Sequence, residues 1–269
     1  MLPATLFIGL DEPETDLLKA DLKVRRPGPI VCHPTLPRIL VRRGELFVES
    51  SSGARLIAVE RVVYHGIFED DHDTLAGLAL WGGPCLPDAG AMTDCRLKLP
   101  CLLRALRYTA FGTPPRGFAA KGVSIPATAD ESTWVAKWGN WHCGENKERF
   151  DAAYFPESNS ILEPYFPGEA VRLLLLGDSA WQIRLAGDDW LKSIHHDNAA
   201  FMPIDPRLEA DARRVAAGFG LELLANDYVL APDGTPHLLE VNHIPNVTRF
   251  PRIWAAYRQF VVDWLCSQR

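Results

Sequence analysis

The sequence predicts an α/β fold, on three observations. Short apolar runs rich in β-branched residues, bounded by Gly, Pro or Ser, fill residues 1–93. Apolar residues recur at helical spacing in three later segments, Leu97–Leu106, Leu208–Phe219 and Ile253–Trp264. Between the last two lie apolar runs joined by an Asp-Gly turn, so strands and helices mix along the chain.

Taken in order, Thr5–Leu10, Pro29–Cys32, Ile39–Arg43, Glu45–Glu49 and Leu56–Tyr64 read as strands. The acidic stretch Glu69–Asp73 reads as a solvated loop or a helix start, and Trp81-Gly82-Gly83-Pro84 punctuates the end of this region. Leu97, Cys101, Leu102, Ala105 and Leu106 form a helical stripe that Gly112-Thr113-Pro114-Pro115 ends. Proline is tolerated only in a first helical turn, so Pro100 puts the start near Leu97. Ser132–Trp138 is a strand, Gly139–Lys147 a polar loop and Ser160–Phe166 a further strand. Val171–Leu176 and Trp181–Leu185 form a hairpin about Gly177-Asp178-Ser179. Asp205 caps a helix with Pro206 at its first position, the stripe Leu208, Ala212, Val215, Ala216 and Phe219, and Gly220 at its end. Leu221–Leu230 and His237–Asn242 are strands, and the final helix turns Ile253, Tyr257, Phe260, Val261 and Trp264 to one side.

The net charge of -6 argues against nucleic acid or an anionic membrane as the main partner. No apolar run is long enough to span a bilayer, and the apolar Met1–Leu10 lacks the basic residues of a signal peptide. The six cysteines form no C-x-x-C pair and read as reduced thiols of a cytoplasmic protein, with zinc disfavoured.

Chemistry concentrates in the last hairpin. Asp233-Gly234 is a strong two-residue turn signal, and a turn centred there sets Asp227 directly opposite Glu240. Asn242 points to the same face as Glu240, because side chains alternate along a strand. Two facing carboxylates repel unless a cation or proton sits between them, and magnesium suits such a set of hard oxygens. A solvated hairpin that binds nothing is the competing reading. Its flanks, Leu223, Leu224, Val229, Leu238, Leu239 and Val241, are those of a core element.

Gly220-Leu221 through Asn226-Asp227, followed by Leu239-Glu240-Val241-Asn242 and Pro245, resembles the ATP-grasp superfamily. The similarity is to the branch containing glutathione synthetase, D-alanine–D-alanine ligase and the ribosomal-protein glutamate ligases, and it covers about residues 94–250. It implies that Asp227, Glu240 and Asn242 bind two magnesium ions bridging ATP phosphates, with manganese an admissible substitute. Val135-Ala136-Lys137 resembles the strand whose lysine contacts phosphate, a head group expected to be solvated without ATP. Glu163-Pro164-Tyr165-Phe166 resembles the hinge that binds adenine, leading to Gly168, Glu169 as the ribose acid, and Arg172. Trp190-Leu191-Lys192-Ser193 resembles the segment that clamps phosphate, and Lys98 the start of the family's preceding helix. The resemblance thus puts Lys192 and Arg172 on the catalytic side, and Lys98, Lys137, Glu163, Pro164, Tyr165, Phe166 and Glu169 around the nucleotide.

The chain departs from the family at several points. Lys192 replaces an arginine, Ile194 stands where asparagine is frequent, and Asn246 follows Pro245 where glycine is frequent. Asp94-Cys95-Arg96-Leu97-Lys98 matches the helix start imperfectly, and the lid has no Gly-rich phosphate loop beyond Gly139 and Gly144. Trp141-His142-Cys143 could face substrate from the lid, while His195, His196 and His243 are read as packing or substrate contacts, with packing the better reading.

The expected organisation is an N-terminal α/β substrate domain at 1–93, a linker helix and small lid at 94–166, and a C-terminal α+β subdomain with the metal site at 167–269. The expected activity is an ATP-dependent carboxylate–amine ligase acting through an acylphosphate, on small-molecule or peptide acids and amines. An ATP-grasp kinase and a non-catalytic ATP-binding module are the alternatives. Such ligases are commonly dimers or tetramers, so the resemblance admits a homodimer.

Overall fold

The computed structural model describes residues 2–50, 52–112, 114, 116–126, 133–139 and 146–267. Strand β1 (Ala4–Ile8) leads into helix α1 (Glu12–Arg25), then β2 (Ile30–His33), β3 (Ile39–Arg42), β4 (Glu45–Glu49) and β5 (Leu56–Tyr64). Helix α2 (His72–Trp81), the short β6 (Cys85–Leu86), α3 (Ala89–Cys95) and α4 (Lys98–Ala105) come after it. Next come β7 (Gly117–Ala119), β8 (Trp134–Trp138), β9 (Lys147–Phe150) and β10 (Ser160–Pro164). The chain closes with β11 (Glu169–Leu176), β12 (Ser179–Arg184), β13 (Ala200–Met202), α5 (Pro206–Phe219), β14 (Leu223–Leu230), β15 (Pro236–Asn242) and α6 (Pro251–Ser267). No helix among the described residues is long and apolar enough to cross a membrane.

The chain divides into two compact units. One comprises residues 1–94, 220–223 and 243–269, and the other residues 95–219 and 224–242. In the first, the strand order is β2-β1-β5-β4-β3, with β6 paired to β5. Strands β2, β1, β5 and β6 run parallel, while β4 and β3 add an antiparallel edge. Leu6, Ile8, Val48, Val62, Tyr64, Leu75 and Leu78 are buried in its core. The sequence pattern assigns α6 to the C-terminal subdomain. In the structure it belongs to the first unit, where it packs on α1. Its buried stripe is Ile253, Tyr257, Val261, Val262 and Leu265. Phe260 and Trp264, expected on that stripe, are half-buried flanks.

Helix α1 is not evident from the sequence pattern, although Asp11-Glu12-Pro13-Glu14 carries its start signal. The Asp11 N–H donates to Glu14 Oε2 at 2.9 Å, as in a capping box. Its apolar face is thin, Leu18 and Leu22 with Thr15, so periodicity alone is a weak cue. Helix α3 is likewise unexpected. The stretch Glu69–Asp73 does start a helix, but Asp71 is fully buried instead of solvated. Its Oδ2 accepts from Tyr64 Oη at 3.1 Å and from the Phe68 N–H at 3.0 Å. Helix α4 ends at Ala105, earlier than the Gly112-Thr113-Pro114-Pro115 stop implies. Thr113 and Pro115 lie outside the described residues, as do Ser132 of the expected strand and residues 140–145 of the expected lid loop.

The second unit holds two antiparallel systems, a four-stranded sheet β7-β10-β8-β9 and a five-stranded sheet β13-β12-β11-β14-β15. Helix α5 packs on β11 through the predicted stripe of Leu208, Ala212, Val215, Ala216 and Phe219, all buried. Asp205 accepts the Arg207 N–H at 2.9 Å, as an N-cap should. Asp211, also on the buried face, accepts from the Ala110 N–H, Thr109 Oγ1 and Tyr228 Oη, so a buried charge holds the segment after α4 against α5 and β14.

Candidate active site

The β14–β15 hairpin sets Asp227 opposite Glu240, as expected, by a different route. The loop is not the two-residue turn that Asp233-Gly234 suggests. Ala231 N–H donates to the Thr235 carbonyl at 2.9 Å, enclosing the three residues Pro232–Gly234. Gly234, at φ 80°, supplies the left-handed residue that such a loop requires. This loop offsets the register by one, pairing Tyr228 with Leu238, and a bulge between Asp227 and Tyr228 takes up Leu239 and restores the pairing. The two irregularities cancel at Asp227. The bulge has a use: the Leu239 carbonyl accepts from Lys137 Nζ at 3.2 Å.

Asp227 does not wait for a metal to offset its charge. Arg172 on β11 holds it in a bidentate pair, Nε to Oδ1 at 2.7 Å and Nη2 to Oδ2 at 2.8 Å. Burial opposes the Arg172 charge, and the Asp227 carboxylate more than offsets this, holding the guanidinium above its ordinary range. Asn242 Nδ2 donates to Asp227 Oδ2 at 3.3 Å, so the predicted trio does converge. The cation expected between the acids is thus in part a side chain, because β11 lies beside β14.

Lys137 is also unlike its expectation. It is only 7% exposed, and its Nζ forms an ion pair with Glu163, which is 2% exposed. Arg116 Nε bonds the other oxygen of Glu163 at 3.0 Å, while its guanidinium also donates to the carbonyls of Gly112 and Leu238. The head group is buried because β8 lies directly beside β10: Lys137 is paired with Ile161 and Glu163 with Val135, two rungs away on the same face of the sheet. Sequence reasoning does not identify Arg116, which no motif distinguishes.

Part of this set lines a cavity of about 470 Å³ within the second unit. Of the sequence-predicted residues, Lys137, Glu163, Tyr165, Phe166, Lys192, Asp227 and Glu240 border it. Tyr165 and Trp190 meet edge to face at 6.3 Å, Arg149 lies over the Tyr165 ring at 5.2 Å, and Phe166 stacks on His237 at 4.0 Å. The Tyr165 N–H is already donated to the Thr133 carbonyl at 2.9 Å. Pro164, Glu169, Arg172, Asn242 and Lys98 do not border the cavity. Glu169 is exposed at the start of β11, whereas Asp188 and Asp189, unremarked in the sequence, are at the wall. Lys192 is exposed and donates to the Gly187 carbonyl of its own loop at 2.7 Å. Lys98 is 4% exposed, and its pKa is lowered, chiefly by burial, against the favourable field of Glu240. Lys147 and Arg149 of β9 complete the wall. Of the histidines, His195 is exposed, His196 lies 3.3 Å from Asp188, and His243 is buried in the first unit. Trp141, His142 and Cys143 lie outside the described residues.

The donors suit a hard cation. Two facing carboxylates and a nearby amide are oxygen ligands, and the carboxylates keep acceptor sites beyond those Arg172 uses. No group of three His, Cys, Asp or Glu placed to hold a metal occurs among the described residues, so magnesium here would complete its shell with phosphate oxygens and water.

No protein-family model and no curated protein sequence matches the chain. Solved structures match over nearly all of it. The ATP-grasp ligase PsnB, complexed with a phosphomimetic variant of its minimal precursor, Mg and ADP, aligns with a TM-score of 0.66 at 14% identity, covering 98% of this chain and 99% of that one. D-alanyl-alanine synthetase A from Vibrio cholerae aligns at 0.65 and 14% identity, covering 98% and 97%. The macrocyclase MdnC from Microcystis aeruginosa, bound with precursor peptide MdnA, aligns at 0.63 and 12% identity, covering 96% and 99%. With two antiparallel sheets around an acid- and lysine-lined cavity, the chain has the ATP-grasp fold.

Proposed function

We propose that the chain is an ATP- and magnesium-dependent ligase that joins a carboxylate, small-molecule or peptide, to an amine through an acylphosphate. The observation that supports this best is the cavity in which Lys137 and Lys147 face the Asp227–Glu240 pair between apolar and aromatic walls. Val135, Tyr165, Phe166 and Leu239 offer a seat for a base, and the lysines neutralise phosphate. Asp227, Glu240 and Asn242 would hold magnesium, which would offset charge on the transferring phosphoryl group. The γ-phosphoryl group passes to a carboxylate oxygen of the substrate and ADP leaves. The amine nitrogen then attacks the carbonyl carbon and gives up a proton, the acyl C–O bond breaks, and inorganic phosphate departs with that bond's electron pair. The enzyme's part is positioning and charge, with no covalent enzyme intermediate. Likeness to proteins solved with precursor peptides supports a peptide as one substrate class. The free described cysteines suit a reducing, cytoplasmic setting.

Hydroxylamine tests the reading, because it intercepts acylphosphates as hydroxamates. The protein, incubated with MgATP, hydroxylamine and a panel of peptides and small acids, is expected to release ADP and free phosphate in step with hydroxamate. AMP with pyrophosphate, or phosphate left esterified to a hydroxyl, would overturn it.

A further inference from the structure

We propose that Lys147, on the second strand of the lid hairpin, contacts the nucleotide phosphates and carries the phosphate-side charge that the resemblance assigns to Lys192. The proposal rests on the ATP-using reading above and extends it to a residue that no motif marks.

The β8–β9 register places Lys147 directly opposite Lys137. Like charges in facing positions destabilise a strand pair, so two lysines meeting on the cavity face of a hairpin call for an anion between them. Val135 and Arg149, the facing pair two residues along, border the same cavity, so this is the inward side of the hairpin. The two lysines are differently employed. Lys137 is bound to Glu163 and to the Leu239 carbonyl. Lys147 makes no salt bridge among the described residues, and its Nζ lies 5.9 Å from the centre of the Trp190 ring. Burial, and then the Lys137 charge, push the Lys147 pKa below its ordinary value, while Glu240, Asp227 and Glu163 oppose the shift. Its charge is therefore held at a cost that a polyphosphate would relieve. Lys192 is placed less well: it is exposed and tied to its own loop through the Gly187 carbonyl. The departure from the family's clamp is thereby explained, because a charge from β9 reaches the same cavity.

The test is calorimetric titration of wild type, Lys147→Met, Lys147→Arg and Lys192→Met with AMP, ADP and ATP, each with magnesium, alongside melting curves without nucleotide. Lys147→Met is expected to weaken ATP by about tenfold or more and AMP by far less, and Lys147→Arg to recover most of the loss. The nucleotide-free melting temperature of Lys147→Met should match or exceed wild type, since one of two facing like charges is gone. A smaller ATP loss is expected for Lys192→Met. Wild-type ATP affinity in Lys147→Met, or a larger loss in Lys192→Met, overturns the proposal and leaves the ATP-using reading standing. Equal loss of AMP and ATP affinity with a lower melting temperature means that Lys147 serves the fold, and also overturns it. No binding of MgATP by wild type overturns both.

Discussion

Arg172 and Asp227 sit 55 residues apart in sequence and share two hydrogen bonds in the structure, with side chains 12% and 14% exposed. Removing one partner of such a pair strands a buried charge. Asp227→Asn is therefore expected to cost about 3–5 kcal/mol of stability, measured by urea denaturation without nucleotide. The hairpin pattern alone implies relief of repulsion when either acid is neutralised. For Glu240→Gln that gain is no longer expected, because Arg172 offsets Asp227 and the field of Glu240 favours the charge on Lys98. Lys137 changes in the same way. Its burial against Glu163 means that Lys137→Met should lower turnover by about 10²-fold and also lower stability by roughly 1.5–3 kcal/mol. Arg116 remains on Glu163 and limits the damage. Unchanged melting in Lys137→Met would contradict the ion pair.

At the scale of elements, the approach to β11 is governed by Gly168. Its φ of 155° belongs to a region that other residues seldom adopt, and an added Cβ would sit 2.1 Å from the Leu230 carbonyl oxygen. Because that oxygen is backbone, no side chain can move aside to make room. Gly168→Ala is expected to destabilise by at least roughly 1–3 kcal/mol, and to weaken nucleotide binding by shifting Tyr165 and Phe166 at the cavity wall. Denaturation and titration on one sample check both, and wild-type values for the two would refute the assignment. The β14–β15 hairpin shows how an element can satisfy a pattern by an unforeseen route. Its facing acids are legible from alternation and an Asp-Gly turn, whereas the loop length and the bulge are not. A three-residue loop plus a bulge reproduces the pairing of a two-residue loop at Asp227, so residue spacing does not separate the two.

At the scale of the molecule, response to acid is set in part by His65, at the end of β5 in the first unit. Burial pushes its pKa down to about 4, and Nδ1 has no hydrogen-bond partner among the described residues. Its ring lies 5.1 Å from that of Tyr257 on α6. The imidazole is neutral in the folded state down to about pH 4, while the unfolded chain takes up the proton near its ordinary pKa of about 6.5. Stability is therefore lost as pH falls between those values. The loss approaches about 3 kcal/mol. His65→Gln should lack this component, so the stability of wild type relative to the variant should fall by that amount between pH 7 and pH 4. A constant difference across that range would show that His65 is not buried as a neutral ring.

What the sequence by itself determined is local in origin. Alternating and helical spacing located most strands and the helices α4, α5 and α6, and the spacing of Asp227, Glu240 and Asn242 marked the acidic hairpin. The resemblance that named the fold rests on the same short stretches. Only the tertiary structure decided which charge answers which. Arg172 reaches Asp227 because β11 neighbours β14, and Lys137 meets Glu163 because β8 neighbours β10. Arg116 reaches the same carboxylate across 47 residues, and Lys147 faces Lys137 through strand register. Sheet order and register join positions distant along the chain. A one-dimensional period carries no record of such pairs, so the acids could be read from the sequence while their partners could not.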